Sequence, residues 1–316
     1  MKTQIKLALP ILSIIATLIL AIAIPDSSLH PKTSHPYFIC FISTLLALYV
    51  MSLIIGIVKK DILSKIAYKA PFIAGIVLFL NILNMITVKF VFLPTLYFPS
   101  LDRVFGALVE EKAFLAKCVF YSAKILVIGT VLGAFIGIFT GIGIGFSERL
   151  NYWLMPIIRI LGPIPSTAWI PLVLLAFPSA VSASAFLIGV AVWFPTTVMT
   201  SSGISNVKNS YFEVSATLGA NQFWRIFKVG VPAAMPHIFL GLFNGTCASF
   251  ITLMTAEMIG AKYGIGWYVN WQKEMMAYAN VYAGLIVIAV LFYFVVTLLF
   301  RVRDHILVWQ KGVIKW

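Results

Sequence analysis

The amino-acid sequence predicts an all-α integral membrane protein with about eight transmembrane helices. Of its 316 residues, 61% are hydrophobic and only 10% are charged, a balance outside the range of soluble domains. Apolar runs recur along the chain, each long enough to cross a bilayer as a helix. The formal net charge of +13 comes from basic residues that stand mostly in short gaps between these runs. That pattern is typical of a chain in a lipid bilayer, and we expect no nucleic-acid partner.

The first three predicted spans, at residues 7–24, 37–58 and 71–93, form an N-terminal extension over residues 1–93. The first run is long for the apolar part of a signal peptide, which favours a retained span. A cleaved signal peptide is the alternative, because Ala21-Ile22-Ala23 resembles a small-residue cleavage site.

Polar residues inside this extension are expected to have structural roles. A loop before the third span is expected in the cytoplasm, because it carries Lys59, Lys60, Lys65 and Lys69. Within the third span, Asn81 and Asn84 can hydrogen-bond to neighbouring helices. Lys89, near the outer end, can extend its amine to the membrane interface.

Two features follow the extension. Charges of nearly balanced sign at residues 94–122 predict an external amphipathic elbow helix on the membrane surface. The fourth span, residues 123–146, then carries glycines at four-residue spacing, which places them on one helical face. These are Gly129, Gly133, Gly137, Gly141 and Gly145. Small residues on one face let another helix approach closely, so we predict a helix-packing seam whose partner helix is open.

Prolines interrupt the fifth apolar segment and rule out an unbroken helix there. They are Pro156, Pro163, Pro165 and Pro171. Broken backbone at membrane depth is tolerated where it is buried in protein or lines a water-filled cavity. The segment is therefore either a wall of a solute pathway or a bend used only for packing. The last three spans are predicted at residues 183–201, 233–259 and 281–300.

The polar passage between the sixth and seventh spans, residues 209–232, predicts a helical hairpin beside the membrane. Ser210 and Glu213 have capping-box spacing, which predicts a helix start. Gly219 can end that helix in the left-handed conformation, and Asn221 can cap a second short helix at residues 223–229. Pro232 suits the first turn of the next span.

The same passage resembles the cytoplasmic signature of ABC importer permeases. The resemblance rests on Glu213-Val214-Ser215, three residues, Gly219, nine residues, and Val229-Gly230-Val231-Pro232. In that family, helices of this loop dock into a cleft of a separate ATPase subunit. The resemblance implies a coupling loop at residues 205–231 within a five-helix permease core at residues 123–316. The ATPase-coupling residues it implies are Tyr211, Glu213, Val214, Ala216, Gly219, Ala220 and Pro232. A capped interfacial hairpin without a partner is the alternative interpretation.

Placing this loop in the cytoplasm fixes the topology by alternation. With eight spans both termini are cytoplasmic, and most of the 23 lysines and arginines then lie on the cytoplasmic side. This asymmetry is independent support for a cytoplasmic loop.

Two further motifs are similar to one branch of type I ABC importer permeases, which imports nitrate, sulfonates, taurine or bicarbonate. The motifs are Pro156-x2-Arg159-x3-Pro163-x-Pro165-x2-Ala168-Trp169-x-Pro171-Leu172, and Ala256-Glu257-Met258-Ile259-Gly260-Ala261 followed by Gly264-Ile265-Gly266. The resemblance implies a small, anionic solute, a second permease copy, cytoplasmic ABC ATPase subunits, an extracytoplasmic substrate-binding protein and a prokaryotic cell membrane. The extra N-terminal spans depart from the branch, which usually has about six.

The expected function is import by alternating access, driven by a partner that hydrolyses ATP. The chain has no GxxxxGK[ST] phosphate-binding loop, so we expect no cofactor here, no enzyme activity, and ATP and Mg²⁺ on the partner. Candidate residues of the translocation path are Arg159, Pro165, Trp169, Trp193 and Glu257. Because a carboxylate would repel an anionic solute, a structural hydrogen-bond or ion-pair role is favoured for Glu257. An interfacial anchor is the alternative for Arg159, and plain packing is the alternative for the two tryptophans. Glu257 is the only acidic residue within a predicted span, which disfavours an ion-coupled secondary transporter. A polytopic membrane enzyme is disfavoured because the four histidines are scattered.

Overall fold

The structure is a computed structural model that describes residues 2–27, 35–58 and 60–310. Over those residues every regular element is helical. The α-helices are α1 (Lys2–Ala23), α2 (Tyr37–Val58), α3 (Lys60–Asn84), α4 (Leu101–Glu110), α5 (Lys112–Phe146), α6 (Glu148–Leu161), α7 (Ile170–Ala176), α8 (Ala180–Ser205), α9 (Asn209–Thr217), α10 (Gln222–Trp224), α11 (Val231–Gly260), α12 (Ile265–Glu274) and α13 (Tyr278–Ile306). Short π-helices cover Met85–Lys89 and Arg225–Gly230, and 3-10 turns cover Ser166–Trp169 and Val308–Gln310.

Seven helices are long and apolar enough to cross a membrane, and the bent pair α6 and α7 would make an eighth span. This result confirms an all-α membrane protein with about eight spans. Lys32, Lys59, Lys311 and Lys315, which entered the topology prediction, lie outside the described residues.

One compact unit comprises residues 1–113 and 271–285. In it α1 packs against α3 and α2, around the buried side chains of Ile14, Phe38, Ile42 and Val77. Asp102 caps the start of α2, because its Oδ1 accepts a hydrogen bond from the Phe38 backbone N–H at 2.9 Å. Burial raises the pKa of the Asp102 carboxyl above its ordinary value.

Lys89 is buried, so the prediction that it snorkels is wrong. Its side chain is 3% exposed and its Nζ lies 2.7 Å from Asp26 Oδ1. The same Nζ donates to the carbonyl oxygen of Ala21 at 2.7 Å and to that of Ile24. The last carbonyls of a helix lack intrahelical partners and attract a cation, so the end of α1 draws this amine inward.

The predicted hydrogen bonds from the two asparagines of α3 also need correction. Asn81 and Asn84 are buried, yet the Oδ1 atom of each has no hydrogen-bond partner in the described part of the chain.

Two helices begin earlier than predicted. The α3 helix starts at Lys60, so Lys65 and Lys69 lie on a helix rather than in a loop, and Pro71 is inside it. Ala67 and Ala70 are buried on that first part of α3, and this packing outweighs the proline. The α5 helix starts at Lys112, directly after α4, rather than at residue 123. The proposed division into extension, elbow and core stays a prediction.

The second compact unit comprises residues 114–270 and 286–316. Its core is formed by the buried side chains Ile125, Leu126, Ala185, Ile188, Val192, Phe250 and Leu253, with Leu291, Phe292 and Val295 of α13 packed against them. The core therefore joins α5, α8 and α11 along their lengths and adds α13 on one side.

The five glycines of α5 lie directly against α8. A Cβ atom at Gly129 would stand 2.7 Å from the Ala185 carbonyl oxygen, and one at Gly137 would stand 3.0 Å from that of Trp193. At Gly145 the nearest atom would be Ile204 Cβ at 2.8 Å. The backbones of the two helices thus touch at intervals of about one turn over the whole seam.

The fifth apolar segment is broken, as its prolines predict. Helix α6 meets the stretch Ser166–Ala176 at an angle of 82°, and this stretch consists of the 3-10 turn Ser166–Trp169 followed by α7. Pro163 and Pro165 lie in the break, whereas Pro171 occupies the first turn of α7, where its missing N–H leaves no bond unmade.

Replacement of a seam glycine should destabilise this unit selectively. In Gly141→Ala the new methyl would lie 2.8 Å from the Thr197 carbonyl oxygen and 2.6 Å from Thr200 Cβ, which forces the helices apart. We expect a loss of about 1–3 kcal/mol in unfolding free energy. The measurement is the thermal unfolding midpoint of the purified protein in detergent.

Gly143→Ala is the matched control, because it lies on the same helix off the seam. Its methyl would meet only the end of the flexible Leu150 side chain, at 3.0 Å. Both variants gain the same helix propensity. Equal midpoints for the two variants would contradict the assigned packing.

Candidate functional site

A sharp turn at Gly219 separates α9 from the helix that follows. Gly219 has φ +80°, the left-handed conformation predicted for it. The Ala220 N–H donates to the Ser215 carbonyl oxygen and the Gly219 N–H to that of Ala216, both at 3.0 Å. These two bonds form a Schellman motif, which ends α9 and reverses the chain.

The predicted capping box before this turn is wrong. The helix starts at Asn209, two residues earlier than the box requires, so Ser210 lies within the first turn. The N-cap residue is Lys208, and it makes no side-chain cap hydrogen bond. Glu213 is therefore an exposed side chain in the middle of α9.

After the turn the chain forms one continuous helix rather than the separate short helix that was predicted. Asn221 Oδ1 accepts a hydrogen bond from the Trp224 N–H at 2.9 Å, which confirms Asn221 as a cap. From Gln222 the helix runs through the π-turns of Arg225–Gly230 into α11, and Pro232 lies in the first turn of α11. A proline ring clashes with the carbonyl one α-turn back, and the wider π-turn relieves that clash.

The outer face of α9 is apolar and exposed. Tyr211 is 55% exposed, Val214 is 58% and Leu218 is 82%, and this spacing puts all three on one side. No residue of α9 is buried, and Ala216 is exposed with them. Ala220, after the turn, is half-buried. An exposed apolar patch on a helix too short to span a membrane marks an interaction surface.

An aromatic contact ties α9 to the transmembrane helices. The ring of Phe212 meets that of Phe146, the last residue of α5, edge to face at 5.7 Å between centroids. Phe146 also packs against Gly230, where a Cβ atom would collide with the ring. The prediction missed Phe146, whose position at the end of a glycine-rich span carries no distinctive sequence signal.

A cavity of about 520 Å³ lies at the bend of the fifth segment, between α7, α8 and α11. Among the candidate path residues, Pro165, Trp169 and Trp193 line it, whereas Arg159 and Glu257 do not. Arg159 is exposed near the end of α6. The Trp193 indole N–H donates to Thr140 Oγ1 at 3.1 Å, which fixes the ring.

The wall of this cavity is mostly apolar. Its polar members are Ser166 and Thr252, whose hydroxyl oxygens lie 2.6 Å apart, together with Thr167 and Asn244. No residue that lines it, within the described ranges, carries a charge. A solute in this cavity therefore meets indole rings, hydroxyls and one amide.

Glu257 lies elsewhere, where it connects three segments of the second unit. It is fully buried; its Oε1 accepts from the Ser122 hydroxyl at 2.7 Å and its Oε2 from the Gly266 N–H at 2.8 Å. Ser122 Oγ in turn accepts from the Ile265 N–H at 2.9 Å. Gly264 has φ +138°, and any Cβ there would collide with the carboxyl group. Prediction missed Ser122, which is distant in sequence, although Gly264 and Gly266 marked the turn.

This bundle of membrane-spanning helices, with its broken span and its exposed helix after α8, is that of a multi-pass membrane protein. Residues 129–307 match the family described as "Binding-protein-dependent transport system inner membrane component". The chain belongs to that family.

Proteins of similar sequence are also transport permeases. The chain is 32% identical over 163 residues to a Bacillus subtilis permease provisionally assigned to aliphatic sulfonates transport, covering 52% of this chain and 59% of the relative. It is 30% identical over 170 residues to a nitrate import permease of Leptolyngbya laminosa, covering 52% and 61%. The chain thus spans about three-fifths of the length of these relatives.

A solved structure has the same fold. The MetNI methionine ABC transporter in an inward-facing conformation matches with a TM-score of 0.53 at 17% identity. The match covers 62% of this chain and 98% of that one.

Loss of the Glu257 acceptors should loosen the turn before α12. In Glu257→Leu the buried Gly266 N–H and the Ser122 hydroxyl lose their acceptor. We expect about 2–4 kcal/mol of destabilisation, since each unpaired buried donor costs about 1–3 kcal/mol. Thermal unfolding and the rate of proteolysis at residues 261–264 measure the effect.

Glu257→Gln is the matched control. Its amide oxygen can accept from Gly266 while its NH₂ donates to Ser122 Oγ, so we expect most of the stability to be kept. If the Gln and Leu variants lost equal stability, the hydrogen bonds would not account for the role of this residue.

Proposed function

We propose that the chain is the membrane-spanning subunit of an ATP-driven importer and that α9 docks a separate cytoplasmic ATPase subunit. The observation that carries the proposal is the apolar face of Tyr211, Val214 and Leu218, exposed directly before the Schellman turn. The turn contains Gly219, which belongs to the signature that resembles ABC importer permeases. Gly219 also lies within residues 129–307, which match the family. The exposed Glu213 adds a charged contact beside that face.

Force on α9 has a direct route to the spans. Phe212 presses on Phe146 at the end of α5, and the turn at Gly219 leads into a helix that continues to the end of α11. This helix packs along α8 at short range: a Cβ at Gly241 or Gly245 would lie 3.1 Å from a carbonyl oxygen of α8. Closely packed backbones move together, which supports rigid-body alternation between inward-open and outward-open states.

The cavity at the bend is our candidate for the solute path. Trp169, Trp193 and Pro165 line it, and Asn244 offers an amide to a polar solute. The names of the nitrate and sulfonates relatives support a small anionic solute. Because the described lining carries no charge, we assign solute selection mainly to an extracytoplasmic substrate-binding protein.

The remaining parts of the assembly follow from this function. A second permease copy, identical or related, completes the membrane part of the proposed assembly, as the resemblance to ABC importer permeases implies. ATP and Mg²⁺ bind the ATPase partner. The location is a prokaryotic cell membrane with both termini in the cytoplasm, in line with the charge asymmetry of the sequence.

Two substitutions in α9 and its turn should abolish transport and transport-coupled ATP hydrolysis while the subunit still inserts. Gly219→Pro cannot adopt φ +80°, and Glu213→Arg reverses the charge on the docking face. For each we expect at least a tenfold fall in solute-stimulated ATP hydrolysis, the effect of losing about 1.4 kcal/mol of contact. The measurement uses the complex purified with its ATPase and its binding protein in lipid nanodiscs.

Controls separate coupling from folding. Gly219→Asn keeps a residue that tolerates the left-handed conformation, and no atom lies within 4 Å of a Cβ at this position, so activity should persist. Thr217→Ala changes an exposed residue of the same helix and should have little effect. Wild-type stimulation in intact complexes with Gly219→Pro or Glu213→Arg would refute the proposal.

A further inference from the structure

A second cavity, of about 340 Å³, lies between α9 and the cytoplasm-facing ends of the spans as we orient them. It is bounded by the ends of α5 and α8, by α9, and by residues 222–226, all within the second unit. Its polar lining residues are Ser205, Asn209, Gln222 and Arg225, and two aromatic rings, Phe146 and Phe212, close one side. None of these residues lines the cavity at the bend or belongs to the apolar face formed by Tyr211, Val214 and Leu218.

Arg225 is the charged group of this cavity. Its Nε atom is buried and has no hydrogen-bond partner among the described residues. Its backbone is held in place, because the Arg225 N–H donates to the Asn221 carbonyl oxygen at 3.0 Å. A guanidinium N–H removed from water and left without an acceptor is unfavourable, so an acceptor that enters the cavity and reaches the Arg225 guanidinium group would relieve that cost.

The surroundings favour a negatively charged acceptor. The lining contains no acidic side chain within the described part of the chain, and Glu213 of α9 is exposed and outside it. Lys228, the next cation along the helix, lies over the Trp224 ring at 5.5 Å instead of lining the cavity. Positive charge in this cavity is thus supplied by Arg225 without compensation from the lining.

We infer that this cavity binds an oxyanion of the phosphoryl class through Arg225. A guanidinium group presents paired N–H donors that match the oxygens of phosphate. The amides of Asn209 and Gln222 and the hydroxyl of Ser205 supply further donors from three segments. The bound group therefore fastens α9 to the first turns of the long helix that leads into α11.

Two sources supply this chemistry, free phosphate and the headgroup of an anionic phospholipid. Both reach a cavity at the ends of transmembrane helices, and both present the same oxygens to Arg225. The inference concerns the permease chain alone and does not depend on an ATPase.

The test is phosphate-dependent thermal stability of the purified permease in maltoside detergent. With inorganic phosphate at about a hundredfold excess over Kd, we expect the unfolding midpoint to rise by roughly 5 °C over chloride at equal ionic strength. Arg225→Met should abolish this rise. Arg149→Met, which removes an exposed arginine of α6 outside the cavity, should keep it.

A second arm replaces phosphate with phosphatidylglycerol added to the same detergent in phosphate-free buffer. An Arg225-dependent rise with the lipid but not with phosphate assigns the site to a headgroup, and the reverse assigns it to the free ion. If Arg225→Met does not accumulate, Arg225→Gln keeps a polar side chain without the charge. A rise of equal size in wild type and the Arg225 variant, or no rise in either arm, overturns the inference.

Discussion

Backbone contact along α8 holds the second unit together, because both α5 and α11 reach it through glycine. The five glycines of the α5 seam meet carbonyl oxygens and Cβ atoms from Ala185 to Ile204. Gly241 and Gly245 of α11 meet α8 between Val192 and Met199. Lipid tails supply little drive for helix association, so close van der Waals packing of this kind carries much of the stability. The broken segment, the cavity beside it and the loop after α8 all take their positions from these three helices.

Periodic features of the sequence predicted the structure best. The four-residue glycine spacing defined a packing face, since helix geometry alone puts such residues in line. It could not name α8 as the partner, because partner choice depends on contacts between distant segments. The left-handed conformation of Gly219 and the Asn221 cap were also predicted, because both depend on residues that are close in the sequence. Membrane spans followed from apolar length, which is a property of single segments.

Errors arose where a local rule competed with tertiary contacts. The capping box failed because α9 starts two residues earlier than the box requires, at Asn209. Snorkelling of Lys89 failed because the free carbonyls at the end of α1 and the Asp26 carboxylate lie within reach of its amine. The gap expected before α11 is closed by a π-helix, which hydropathy does not reveal. Of the five candidate path residues, Pro165, Trp169 and Trp193 line the cavity at the bend, whereas Arg159 and Glu257 do not, and the path itself stays a prediction.

The π-helix at Arg225–Gly230 has a consequence for the angular setting of the loop. A π-turn holds an extra residue, and one residue corresponds to about 100° of rotation around an α-helix. Removing one residue between Gly219 and Pro232 would convert the π-turns to α-turns and swing α9 about the axis of α11 by that angle. The apolar face of α9 would then point in another direction while every side chain on it stayed the same. The number of residues in this stretch thus sets the direction in which the apolar face of α9 points, whereas the composition of α9 sets the chemistry of that face.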